Sequence, residues 1–184
     1  FATLLTQVLV DTDDPAFGAP TKPIGPMYDE ARSKELPADR GWSIARDGGG
    51  WRRVVASPRP VRILQAAVIK RLVNAGVTVI CAGGGGIPVV RTADGSFAGV
   101  EAVVDKDLAS ALIAGESAAD HLLLLTDVVG VYLDWGSERE RLVARAGPGM
   151  LDHRLFAPGS MGPKLQAANE FVSATGKPAS MMLR

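Results

Sequence analysis

The chain has 184 residues, of which 47% are hydrophobic and 22% charged, and its formal net charge is zero. This composition predicts one sizeable core and excludes the polyelectrolyte character that is typical of nucleic-acid-binding proteins. The single cysteine, Cys81, excludes an internal disulfide, and no apolar run reaches the roughly 18 residues of a membrane span. Because no signal peptide is recognisable either, we expect a soluble, cytoplasmic protein without membrane or nucleic-acid partners.

A β-rich segment, Leu4–Asp11, predicts the first strand. From Asp11 to Pro60 the composition changes to proline, glycine and charge, and a structureless segment of that length is improbable inside a compact domain. We therefore predict a lid subdomain over residues 20–56. Its predicted elements are a short helix that Pro26 opens and that ends before Pro37, followed by a hairpin of Trp42–Arg46 and Trp51–Val55.

Lys22 lies in this subdomain between Pro20 and Pro23, which restrict the backbone on both sides. A preorganised cation is useful in phosphoryl transfer, where positioning and electrostatic stabilisation do most of the work. The alternative is a rigid loop with an ordinary exposed lysine, and the local sequence leaves both interpretations open.

A run of four glycines follows the next predicted helix and strand. The helix is predicted from Pro60 to Ala75 and the strand over Val77–Ala82, which leads into Gly83, Gly84, Gly85 and Gly86. Four glycines after a strand allow positive φ and close backbone approach, so their amides could surround a phosphate or carboxylate. The alternative is that glycine merely relieves packing. Cys81 has no basic neighbour in sequence and is interpreted as a small buried hydrophobe.

The stretch from Gly99 to Tyr132 carries charge at two junctions. We predict a strand over Gly99–Val104, a helix that Asp107 caps, and a strand over Leu122–Leu125 that is buried on both faces. Thr126 and Asp127 then lie at the carboxyl end of that strand, where open α/β sheets bind ligands.

Two lysines stand at predicted helix starts, where a cation opposes the positive end of the helix dipole. Lys106 precedes the helix capped by Asp107, and Lys164 follows Pro163 in a helix that ends at Gly176. An anion held by the lysines and the helix amides would favour this placement. The alternative for each is a solvated surface lysine. His121 and His153 lack the spacing of metal ligands, so we predict no protein metal site.

Five motifs resemble those of the carbamate kinases, which form part of the amino-acid kinase superfamily. They are Pro20-Thr21-Lys22-Pro23-Ile24-Gly25, Gly83-Gly84-Gly85-Gly86-Ile87-Pro88-Val89, the segment Gly99–Ser110 with its Asp105-Lys106-Asp107, Thr126-Asp127-Val128, and Gly159-Ser160-Met161-Gly162-Pro163-Lys164. The resemblance covers nearly the whole chain and is specific in combination.

The resemblance implies an α/β fold, a three-layer α/β/α sandwich with a mainly parallel sheet, in which residues 1–184 form part of the kinase domain. It also implies phosphoryl transfer between carbamoyl phosphate and ADP, with Mg²⁺, in a homodimer. By residue-by-residue correspondence, Lys22, Lys106 and Lys164 would neutralise the transferring group and Asp107 would orient them. Nucleotide-binding residues would be Thr126, Asp127, Tyr132, Met161, Gly162 and Lys164, and phosphate-binding residues would be Gly83, Gly84, Gly85 and Gly86.

Two alternatives stay open beside this function. Another kinase of the superfamily, acting on acetylglutamate or uridylate, would share the strand-end aspartate and the late lysine, but the Lys22 motif argues against it. A non-catalytic nucleotide-binding or dimerising fragment is the second alternative. The family has further segments at both ends, including a Gly-Gly-Asn loop, so we expect these 184 residues to be part of a longer protein. Alone, we expect them to bind nucleotide weakly and to show little or no kinase turnover.

Overall fold

The computed structural model describes residues 1–156 and 160–183. The helices are α1 (Glu30–Arg40), α2 (Ala66–Asn74), α3 (Lys106–Glu116) and α4 (Met161–Thr175). The strands are β1 (Ala2–Thr3), β2 (Gln7–Val10), β3 (Lys22–Tyr28), β4 (Ser43–Asp47), β5 (Gly50–Val55), β6 (Pro60–Ile63), β7 (Val79–Ile80), β8 (Ile87–Arg91), β9 (Phe97–Gly99), β10 (Leu122–Thr126), β11 (Val131–Leu133), β12 (Arg141–Val143) and β13 (Ala179–Leu183). Within the described residues, no helix is both long and apolar enough to cross a bilayer.

The chain divides into two compact units, which are described separately. The helical unit comprises Phe1–Leu4, Gln65–Ile80 and the described residues from Lys106 onward, and the sheet unit comprises Leu5–Leu64 and Cys81–Asp105. The sequence motifs around Lys22 and the four glycines therefore belong to the sheet unit, and those around Asp127 and Lys164 belong to the helical unit.

The helical unit is organised around the packing of α3 on α4. Alanines at 111, 114 and 167 are buried there and allow the two helices to approach closely, while Phe171 fills the space beside them at 2% exposure. Strands β10 and β13 pair in parallel, and β10 contributes Leu122 and Leu124 to the same core. Helix α4 ends at Gly176, whose φ of 69° is the left-handed cap conformation.

The sheet unit contains two sheets. One has the strand order β6-β2-β8-β9, in which β2 and β8 are parallel, and its centre pairs Val8 with Ile63, both fully buried. The other has the order β3-β5-β4 and is antiparallel throughout, with α1 beside it. The predicted hairpin of the lid subdomain is present as β4 and β5.

The helix predicted from Pro60 begins later, so that prediction was wrong at its start. Residues Pro60–Ile63 form strand β6, which pairs antiparallel with β2, and α2 starts only at Ala66. The helical spacing of apolar residues is real from Ala66 onward. Before it, Val61 and Ile63 are β-branched, and burial of Ile63 against Val8 outweighs the helix-start signal of proline.

The short helix predicted in the lid subdomain was also misplaced. Pro26 lies in strand β3, and α1 begins after Asp29, whose side chain accepts a hydrogen bond from the Arg32 amide at 2.8 Å. The helix then continues through Pro37 to Gly41, which adopts φ of 66°. Pro37 lies inside the helix and has no N–H to donate to the Ser33 carbonyl, so one intrahelical hydrogen bond is forgone there.

Three further elements differ from the sequence predictions. Strand β9 ends at Gly99, so Val100–Val104 is largely not strand. Asp107 is not a cap but the second residue of α3. Strand β10 buries only alternate residues, with Leu123 50% and Leu125 52% exposed, so it is not covered on both faces by described residues.

Candidate active site

Asp107 is the centre of a cluster of opposite charges in the helical unit. Its carboxylate accepts hydrogen bonds from the Lys164 ammonium, with Nζ 3.1 Å from Oδ1 and 3.4 Å from Oδ2. Lys106 Nζ lies 3.7 Å from Asp107 Oδ2. The side chains of Asp107 and Lys164 are 8% and 12% exposed, whereas that of Lys106 is 57% exposed. The structure therefore brings two of the three predicted lysines to one carboxylate.

The packing of α3 on α4 explains this geometry. Asp107 is in the first turn of α3 and Lys164 in the first turn of α4, so their contact joins the N-terminal ends of the two helices. An acidic residue in the first turn of α3 is favoured by the helix dipole, and Asp107 offsets the unfavourable placement of both lysines. The amide ends and the two ammonium groups make this a positively charged region in which an anion can be stabilised.

Lys22 has its own carboxylate in the sheet unit. Its ammonium donates a hydrogen bond to Asp105 Oδ2 at 2.8 Å, and the two side chains are 33% and 11% exposed. Sequence analysis assigned no role to Asp105. The repeated acid in Asp105-Lys106-Asp107 was the available signal, but a partner 83 residues away in sequence cannot be deduced from a single sequence.

A cleft of about 700 Å³ lies in the helical unit beyond the end of β10. It brings together three of the predicted nucleotide-binding residues, Asp127, Tyr132 and Met161. Thr126, which is buried, is not among its described lining residues, nor are Gly162 and Lys164. Gly159, which belongs to the same predicted motif, lies outside the described residues.

Aromatic and apolar side chains that sequence analysis missed also line this cleft. Tyr132 and Trp135 contact each other edge to face, with ring centroids 5.0 Å apart, and Trp135 remains 65% exposed. Leu155 and Phe156 contribute further apolar surface. Polar groups are supplied by Asp127, Asp134, Ser137 and Arg139. Such a combination suits a planar, partly polar ring system, and an exposed tryptophan near a strand-end aspartate was the signal to notice.

The amides of three of the four glycines are engaged within their own turn, and a phosphate-binding role of the run stays a prediction. The amides of Gly85 and Gly86 donate to the Ala82 carbonyl at 3.1 and 2.6 Å, and the Gly83 amide donates to Cys81. At Gly86 a Cβ atom would lie 2.4 Å from Val8 Cγ2, and φ is 86°. These amides close a turn in this structure, which supports the packing alternative for Gly86.

The described residues contain no group of three or more His, Cys, Asp or Glu side chains that could hold a metal ion. Asp105 and Asp107 both form ion pairs with lysines. This donor set does not fit a protein-ligated metal, but Mg²⁺ is commonly carried by nucleotide phosphates with one or two carboxylates at most.

Comparison with known proteins identifies the family. The sequence profile of the Amino acid kinase family matches residues 6–181. The chain is 50% identical over 179 residues to a carbamate kinase of Haemophilus influenzae, with 97% of this chain and 58% of the relative covered. It is 47% identical over 182 residues to a carbamate kinase of Pyrococcus horikoshii, with 96% of this chain and 58% of the relative covered.

Two solved structures are similar in fold. A crystal structure of a protein from Aeropyrum pernix superposes with a TM-score of 0.91 at 46% identity and covers all of this chain and 61% of its own. The carbamate kinase from Giardia lamblia bound to AMP-PNP gives a TM-score of 0.82 at 42% identity, covering 98% of this chain and 59% of its own. The chain thus spans 58% of the length of the two curated relatives. The predicted α/β fold class is confirmed, and the chain belongs to the amino acid kinase family.

Proposed function

We propose that this protein transfers a phosphoryl group between carbamoyl phosphate and ADP, forming ATP and carbamate. The observation that carries the proposal is the Asp107 cluster, in which one buried carboxylate holds Lys164 and contacts Lys106. The similarity to carbamate kinases at 47–50% identity supports the choice of substrates.

The chemistry asked of these residues is electrostatic. A phosphoryl group in transfer carries negative charge on its equatorial oxygens, and fixed cations stabilise that charge without a covalent intermediate. Lys164 and Lys106 would supply positive charge, and Asp107 would keep the Lys164 ammonium in one position, so that little reorganisation is needed during the reaction. A role for Lys22 in binding a substrate phosphate stays a prediction.

The nucleotide is proposed to bind in the 700 Å³ cleft. Tyr132, Trp135 and Met161 would contact the base, and Asp127 would accept a hydrogen bond from the sugar or base. Support comes from the aromatic lining and from the Giardia relative, which was crystallised with AMP-PNP. Mg²⁺ would arrive with ADP as part of the substrate complex. Roles for Thr126 and Gly162 in nucleotide binding stay predictions.

The test is ATP formation from ADP, Mg²⁺ and carbamoyl phosphate, measured against a blank without protein. Lys164→Met should lower kcat by about a hundredfold, because a fixed donor to the transferring group is lost. Lys177→Met is the matched control, since Lys177 forms an exposed ion pair with Asp120 in the same unit. Equal turnover in the wild type and Lys164→Met would contradict the proposal, provided that both melt at the same temperature.

Nucleotide binding without transfer is the second candidate. The engagement of the Gly83, Gly85 and Gly86 amides within their own turn favours it, because those amides are not offered to a phosphate. Calorimetric titration with Mg-ADP distinguishes the two functions. Binding that Trp135→Ala weakens, together with no ATP formation above the blank by these residues or by a chain extended upstream to the length of the relatives, would establish the second function.

Three finer expectations accompany the proposal. A homodimer and a cytoplasmic location are proposed from the resemblance and from the single cysteine. Mobility of the lid subdomain is proposed from its Lys22, which would reach substrate only if the subdomain can open and close.

A further inference from the structure

The ion pair between Lys22 and Asp105 differs from the ion pairs within α1 in the exposure of its carboxylate. The pairs that α1 forms, Lys34 with Glu30 and Arg32 with Glu35, join side chains that are each at least 44% exposed. The Asp105 side chain is 11% exposed. Exposed pairs are commonly incidental, whereas a shielded carboxylate needs a partner. The Lys22–Asp105 ion pair is therefore part of the folded structure rather than an incidental surface contact.

Both partners are fixed by contacts that do not involve their side chains. Lys22 begins β3, where it pairs in register with Val55, and the preceding Thr21 amide donates to the Val55 carbonyl at 3.2 Å. On the other side, the Val103 amide donates to the Ala56 carbonyl at 2.9 Å, and Val104 is fully buried. The position of the Lys22 ammonium is consequently determined by two anchored backbone segments.

The ammonium keeps donors available after this pairing. One of its three N–H groups accounts for the bond to Asp105, and the side chain retains 33% exposure through which a solute can reach it. A doubly charged phosphate oxygen group can bind the remaining donors without displacing the carboxylate. The arrangement repeats that of Lys164 on Asp107, where a carboxylate also fixes a lysine.

We propose that Asp105 is a positioning residue that holds Lys22 for a phosphorylated anionic substrate. This rests on the proposed phosphoryl transfer. Asp105 acts through Lys22 and makes no contact with the reacting atoms in this assignment. Its negative charge disfavours the anion slightly, and this is the cost of fixing the lysine.

The test uses Asp105→Asn, which removes the charge at nearly constant shape, and Asp105→Glu, which restores it. The matched control is Glu101→Gln, because the Arg53–Glu101 pair joins β5, the strand that pairs with β3, to the segment preceding Asp105 and does not include Lys22. The first readout needs no activity. Acylation of Lys22 by an amine-specific reagent is followed by mass spectrometry and referenced to exposed Lys70 on α2.

Asp105→Asn should raise the Lys22 labelling rate about fivefold, while Glu101→Gln should leave it unchanged and Asp105→Glu should return it toward the wild type. In turnover assays, Asp105→Asn should lower kcat on the order of tenfold and leave KM for carbamoyl phosphate equal or lower. An unchanged labelling rate in Asp105→Asn, or an equal rise in Glu101→Gln, overturns the proposal. If neither these 184 residues nor a chain extended upstream to the length of the relatives forms ATP, the proposed function fails, and the labelling result still decides the role of Asp105.

Discussion

The α3–α4 core and the lid subdomain are stabilised by different means. In the core, Phe171 is 2% exposed and Ala167 is fully buried between packed helices. In the lid subdomain, α1 buries only Ser33 and Leu36, and much of its remaining surface forms exposed ion pairs. Apolar burial contributes far more to stability than exposed ion pairs do. The core should therefore set the global stability, and the lid subdomain should open at lower cost.

The two lysine–aspartate pairs, Lys164–Asp107 and Lys22–Asp105, also differ in exposure. Lys164 and Asp107 are both nearly buried on the rigid core, which suits a fixed electrostatic role. Lys22 is more exposed and belongs to the less stable region, although its partner Asp105 is shielded. In both sites a carboxylate holds the lysine, and the two sites differ in how far the lysine is open to solvent.

The largest effect should follow from Phe171→Ala. Deleting the ring removes the largest side chain of the core and leaves a cavity, so unfolding free energy should fall by about 3–5 kcal/mol in urea titrations. Phe97→Ala is the control, because Phe97 is 40% exposed and contacts Arg91 through its ring face. Its loss should be about 1 kcal/mol or less. Similar losses in the two variants would remove the distinction between core and periphery.

Leu36→Ala should produce an effect of intermediate size that stays local. Leu36 is 3% exposed and is one of only two buried residues of α1, so the variant should lose about 2–3 kcal/mol of local stability. Hydrogen exchange should accelerate across α1, β4 and β5 while the amides of β10 keep their wild-type rates. Acceleration of β10 by the same factor would mean that the lid subdomain and the core unfold together.

Sequence reasoning was reliable where the signal is local. The hairpin of β4 and β5 follows from the turn residues between two β-rich segments, and the end of α4 at Gly176 follows from its cap. It failed at Pro60, because pairing of Ile63 with Val8 is a contact between distant segments. The end of helix α1 was missed for a related reason, since burial of Leu36, which only the folded chain shows, accompanies a helix that continues through Pro37.

The candidate site shows the same contrast between local sequence signals and contacts that only the folded chain makes. Lys22, Lys106 and Lys164 stood out because each is placed against a local preference, and two of them share Asp107. Asp105 was missed, because only the folded chain brings it to Lys22. The glycine run was misinterpreted in part, since sequence shows where backbone freedom exists but not which carbonyls the amides will contact.

In the unmodified protein, hydrogen exchange should already distinguish the two regions. Amides of β4 should exchange on the order of tenfold faster than those of β10, because β4 belongs to a small three-stranded sheet with little buried apolar surface. Addition of Mg-ADP should slow exchange around Tyr132 and Trp135 if the cleft binds nucleotide. Equal protection of β4 and β10 would show that the lid subdomain is a rigid insertion.

The smallest effect is expected at Cys81, which belongs to neither region. Partial burial raises the pKa of its thiol above the usual value, so less thiolate is present at neutral pH than in an unfolded chain. Alkylation by iodoacetamide at pH 7.5 should therefore be slower in the folded protein than in urea. Between the unfolded and the folded pKa the folded state binds more protons, so any stability from this group is present below the unfolded pKa and is lost as the pH rises through the folded one.

Cys81→Ala should retain wild-type turnover, since the thiol has no role in phosphoryl transfer here. Alkylation that is faster in the folded protein would show an activated thiolate and would require a positively charged neighbour that this structure does not place beside Cys81 among its described residues.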